Sequence, residues 1–131
     1  MEDSMLLEIL KEMQKKYKCM TEIERITREV GELFSRNDQT SVQILLGMRQ
    51  DEMDKSDVID KNIKCLISVL SPEEAVQVEN WLKGQANWKP NGQISEKLIE
   101  KGKNIQQILK RTIEIDKFIS TRIAGTHSFY N

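Results

Sequence analysis

The chain has 131 residues, of which 38% are hydrophobic, 31% charged and 5% aromatic, with a formal net charge of -1. That length holds one domain with one core, and the charge balance is wrong for wholesale disorder. Plentiful Lys, Glu, Ile, Leu, Met and Gln beside two prolines exclude a β-sandwich or barrel and predict an all-α domain over residues 1–131. No apolar run approaches the roughly 20 residues that cross a bilayer. The start, Met-Glu-Asp-Ser, is acidic where a secretory signal is basic, so a cytoplasmic chain without membrane insertion is expected.

Helix 1 is predicted from about Ser4 to Ser35. Leu6, Met13, Met20, Thr27 and Phe34 occupy one heptad position, and Ile9, Lys16, Ile23 and Val30 lie three further on, an apolar seam of the bundle or coiled-coil kind. Met5, Cys19, Ile26 and Leu33 widen it into the stripe of a helix with more than one neighbour. Arg36-Asn37-Asp38 breaks the pattern, and Thr40 with Gln43 reads as a capping box opening helix 2. Helix 2, about Thr40 to Leu70, must fold back antiparallel to helix 1 after so short a connection. Its ends are apolar, with Val42, Ile44, Leu45, Leu46 and Met48 first and Ile59, Ile63, Leu66, Ile67, Val69 and Leu70 last. From Arg49 to Asp57 only Met53 is apolar, so this waist must be solvated or paired.

Ser71-Pro72-Glu73-Glu74 supplies an N-cap, a proline at the first helical position and acids where the helix dipole favours them. Helix 3, about 72–84, carries Ala75, Val76, Val78, Trp81 and Leu82, with Trp81 expected in the core. A loop from Gln85 to Gln93 follows. Helix 4 is predicted from about Ile94 to Arg122, with Ile94, Leu98, Ile105, Ile108, Thr112, Ile115, Ile119 and Ile123 on one face. Ile99, Ile113 and Phe118 fall outside that face. Gly125 should stop the helix and leave a tail, 126–131.

Few groups are available for chemistry. Cys19 and Cys65 form no CxxC pair and read as reduced core thiols; His127 stands alone in the tail. No glycine run resembles a phosphate loop. Asp51, Glu52, Asp54, Asp57 and Asp60 alternate with Arg49, Lys55 and Lys61 without the glycine-bearing loop of a calcium site, so they read as a solvated face. No catalytic residue, metal or cofactor is expected. Residues 1–80 carry 11 Lys+Arg against 17 Asp+Glu, net -6, and residues 81–131 carry 9 against 4, net +5. That split fits a basic last helix packed beside an acidic hairpin. Nucleic-acid binding is not expected at a pI near 5.9, although Lys97, Lys101, Lys103, Lys110 and Arg111 form a modest strip. Surplus apolar groups point instead to a protein partner. Ile113 and Phe118 flank the packing face of helix 4, Phe129 and Tyr130 lie in the tail, and Trp88 fits either a lid on the bundle or a partner anchor.

Several stretches together resemble the FlgN/FliT type of flagellar export chaperone. They are a first helix of Leu6-Leu7-Glu8-Ile9-Leu10 character, the break at Arg36-Asn37-Asp38 and a second helix opening Val42-Gln43-Ile44-Leu45-Leu46. A late helix then ends in Arg122-Ile123-Ala124-Gly125 and Ser128-Phe129-Tyr130. The insertion from Trp81 to Trp88 has no place on that pattern. The resemblance implies a non-catalytic cytoplasmic protein that covers an amphipathic helix of a hook-associated protein with its C-terminal helix and tail. The alternative is a structural coiled-coil adaptor or homodimer with no export role, pairing through the same surplus face.

Overall fold

The computed structural model describes residues 2–85 and 92–126, the last four as helical backbone. Among these the chain is all-helical: α1 (Asp3–Ser35), α2 (Gln39–Ser68), α3 (Pro72–Leu82) and α4 (Gln93–Thr126). The 33 residues of α1 make a rod of about 50 Å. Its heptad reading holds: Leu6, Ile9, Met13, Met20, Ile23, Thr27 and Val30 are all buried, and Cys19 and Ile26 beside them are buried too.

The reversal after α1 is made by three residues. Asn37 takes φ 60°, a conformation asparagine tolerates better than most residues. Its N–H donates to the Phe34 carbonyl and that of Asp38 to the Leu33 carbonyl, both at 3.0 Å, the paired bonds of a Schellman cap. Asp38 then caps α2 by accepting the Ser41 N–H at 3.1 Å, and that bond holds its carboxyl below the usual range. The cap is therefore Asp38, and the Thr40–Gln43 capping box is not used. Helices α1 and α2 run antiparallel, with Lys16 donating to Asp60 at 2.7 Å near one end and Arg49 reaching Thr27 near the other.

The Ser71 cap of α3 forms as read, with Ser71 Oγ accepting from the Glu74 N–H and Glu74 accepting from the Ser71 N–H. A second Schellman cap closes α3, with Gly84 N–H on the Trp81 carbonyl and Gln85 N–H on that of Asn80. Helix α4 then runs parallel to α1, since Lys101 lies 4.3 Å over the Tyr17 ring, Arg111 pairs with Glu24, and Ile119 abuts Gly31. It continues through Gly125 to Thr126, so that glycine does not end it. No Cα of α2 lies within 8 Å of one in α4; α1 is the central helix, flanked on both sides.

Two apolar clusters fill the bundle. The larger joins Leu6 to Ile23 of α1, Ile59 to Ile67 of α2, Val78 and Trp81 of α3 and Leu98 to Ile108 of α4. The smaller holds Ile26, Val30, Val42 and Leu45, with Leu33 and Phe34 packed against it. Between them sits a polar layer, in which Arg49 donates to both Asp116 oxygens, at 2.7 and 2.9 Å, and to Thr27 Oγ1 at 3.3 Å. The waist of α2 is thus paired at Arg49, while Asp51, Asp54 and Asp57 face solvent. With Ser56 the only buried residue from Arg49 to Asp57, amides there are expected to exchange faster than those of Ile63 to Ile67, because few apolar contacts oppose local opening. Hydrogen exchange read by mass spectrometry checks this; equal protection in both stretches would mean that the Arg49 layer locks the waist.

Some expectations about burial change. Cys65 is exposed rather than a core thiol, whereas Cys19 is buried, and burial, with the Glu52 carboxylate next, pushes its thiol pKa up. Ile99 is buried, because α3 packs on that side of α4 near its start. Ile44, Leu46, Met48 and Val69, read as apolar ends of helix 2, are exposed. No described helix is long and apolar enough to cross a membrane.

Candidate partner-binding groove

The upper halves of α1 and α4 are held together at one edge by charge and at the centre by close packing. Arg111 Nε donates to Glu24 Oε2 at 2.8 Å, and Arg28 approaches the same oxygen at 3.3 Å. The bond from Arg111 keeps the Glu24 carboxyl below its ordinary range, with Arg28 adding to the effect. One turn further up, Gly31 has no side chain to keep α4 away: a Cβ there would stand 3.1 Å from Ile119 Cδ1. Beyond this contact the helices leave a groove of about 630 Å³ between them.

Its apolar lining comes from Phe34 of α1 and Ile115, Phe118 and Ile119 of α4; Arg28, Glu32, Arg111, Glu114 and Arg122 stand around it. Phe118 is 64% exposed, and the Arg122 guanidinium lies over its ring at 5.8 Å. A phenylalanine so exposed, above further apolar side chains, is an apolar surface of the kind that marks binding sites. Glu32 and Glu114 are exposed and have no ion pair among the described residues.

The sequence grouped Ile113 with Phe118. Both are exposed, Ile113 at 44%, but five residues of helix set them about 140° apart. Ile113 falls on the flank of Asp116, which turns to Arg49 of α2, and takes no part in the groove. Of the two sides of α4 on which the sequence placed them, only the Phe118 side carries the groove. Trp88, Phe129 and Tyr130 lie outside the described residues, as does His127. Phe34, Glu32 and Arg28 were missed as site residues, because helix 1 was read only for its core seam.

Nothing else among the described residues gathers chemistry. No group of three or more His, Cys, Asp or Glu is placed to hold a metal. The other cavity worth note, at Pro72, Glu73, Val76 and Gln77, rests on a single short helix. No protein-family model, curated protein or solved structure matches the chain.

Proposed function

We propose that this protein is a non-catalytic binding module of the flagellar export chaperone kind, which covers an amphipathic helix of a hook-associated protein in the α1–α4 groove. The observation that carries the reading is the position of Phe118, highly exposed over an apolar floor that includes Phe34 and Ile119. Helix-in-groove recognition needs an open apolar trough, and this one is flanked by arginines and by two acids with no ion pair among the described residues. A fitting partner helix carries an apolar stripe with a lysine or arginine beside it, placed to meet Glu32 and Glu114. A cytoplasmic place for the chain, where export substrates wait, belongs to the same proposal.

Isothermal titration of the full chain with a fragment bearing the terminal helices of a flagellar hook-associated protein tests the reading. A one-to-one complex is expected, and Phe118→Asp should weaken it at least tenfold, about 1.4 kcal/mol, while leaving the melting temperature nearly unchanged because the ring is already exposed. Loss of binding with Ile113→Asp and none with Phe118→Asp would put the site on the other flank of α4. Absence of any complex would remove the export reading.

A further inference from the structure

Along one flank of α4, Ser95, Ile99 and Gly102 follow one another at steps of four and three residues, the spacing of a seam that packs on a neighbouring helix. Ser95 and Ile99 are buried, and at Gly102 the seam meets the end of α3 at Leu82 and Gly84. The same steps carry it on through Gln106, Leu109 and Ile113 to Asp116, but α3 has ended at Leu82, and Gln106, Leu109 and Ile113 are exposed. Helix α2 presents a matching seam of Leu46, Arg49 and Met53. Arg49 crosses from it to Asp116, Leu46 is exposed and Met53 only partly buried. Helix α3 thus fills the lower part of a fourth-helix position between α2 and α4. Above it, from Gly102 to Ser120, about 27 Å at 1.5 Å per residue, that position is open among the described residues.

We infer that this open position takes an acidic amphipathic helix of another protein, which completes a four-helix bundle above α3. Its apolar stripe meets Leu109 and Ile113 on one side and Leu46 and Met53 on the other, as core layers do in such bundles. Charge selects the occupant. Lys103, Lys110 and Lys117 each directly follow a seam residue of α4, the outer edge position where packed helices form ion pairs across their contact. All three are exposed, and none has an ion pair among the described residues. The corresponding edge of α2 is Gln43, Gln50 and Asp57, one acid against three cations, so a helix edged with acids is favoured and a basic one repelled. Two copies of this chain meeting through the same face would set their lysine rows against each other, which argues for a different protein. At the Arg49–Asp116 level the covering helix needs a polar residue, because an apolar one would strip water from a carboxylate whose side chain is 38% exposed. This position lies on the opposite flank of α4 from the α1–α4 groove, whose Glu32 and Glu114 suit a basic partner, so either site can fail without the other.

The probe is a synthetic helical peptide of about 18 residues, five turns, with leucine along its heptad seam, one glutamine in that seam to meet Arg49 and Asp116, and glutamate along both edges. Titrated into the full chain and followed by fluorescence anisotropy, it should form a one-to-one complex. Ile113→Asp should weaken that complex at least tenfold, and so should Lys110→Glu combined with Lys117→Glu. Neither variant should move the thermal melt, because all three side chains are exposed. Phe118→Asp, on the groove side, should leave the affinity unchanged. No complex overturns the inference, as does one that Phe118→Asp abolishes and Ile113→Asp spares, or one indifferent to reversal of the two lysines. A dimer of the chain, seen by sedimentation velocity and broken by Ile113→Asp, overturns it too, since a second copy would then hold the position.

Discussion

Replacing Trp81 with alanine is expected to destabilise the fold by about 3–5 kcal/mol, the range for truncating a large buried aromatic. Trp81 is 0% exposed and belongs to the same apolar cluster as Leu6 and Ile9 of α1, Val78 of α3 and Leu98 of α4. It is the largest fully buried side chain among the described residues and the main anchor of a helix only 11 residues long, too short to persist alone in water. Losing it removes both the ring's burial and the reason for α3 to stay docked. Against a typical domain stability of about 5–15 kcal/mol the loss is large, and urea unfolding followed by circular dichroism should show the midpoint fall sharply. Trp88→Ala should cost far less. Equal losses at both positions would make the segment between α3 and α4 part of the core, and a loss under about 1 kcal/mol at Trp81 would mean that the site collapses around the gap.

What the sequence made legible was periodic, and what it hid was pairwise. The seam of α1 could be read because Leu6, Met13, Met20 and Thr27 recur every seven residues, and all four are buried. The start of α3 could be read because Ser71, Pro72 and Glu74 stand in a fixed local order. The start of α2 was misplaced by two residues since Thr40 and Asp38 are both capping types; Asn37, by taking a positive φ, closes α1 and leaves Asp38 in the N-cap position. Ile99 looked peripheral on the helix wheel of α4, and only the docking of α3 at that end makes its side of the helix interior. The exposure of Ile113 and Phe118 was legible from angle alone. So was their place on either side of the packing face; which flank carries a groove was not, because it depends on the neighbour each flank of α4 meets, and the groove joins Phe34 to Phe118 across 84 positions of sequence. A glycine inside a strong helix was a signal available and unused at Gly102.

Gly102 is expected to reject even a methyl group. It sits in α4 where that helix crosses the end of α3, and a Cβ there would stand 2.8 Å from the Leu82 carbonyl carbon and 3.0 Å from the Gly84 nitrogen, with the Leu82 oxygen nearer still. These are backbone atoms, held by the Schellman cap that Gly84 closes at φ +73°, so no side-chain rotation can make room. Gly102→Ala gains about 1 kcal/mol of helix propensity but must push α3 off α4, an overpacking cost of about 1–3 kcal/mol or somewhat more against rigid backbone. A net loss of up to about 2 kcal/mol is expected, and near-ultraviolet circular dichroism should report a disturbed Trp81 environment, since α3 carries that residue. Gly47→Ala is the matched control: the same substitution, inside a helix, with nothing within 4 Å. It should stabilise by up to about 1 kcal/mol. Opposite signs for one chemical change at two helical glycines would show that close approach of α3 and α4, not backbone freedom, is what requires Gly102. If both substitutions stabilise alike, the α3–α4 contact yields without cost and the crossing is looser than its geometry indicates.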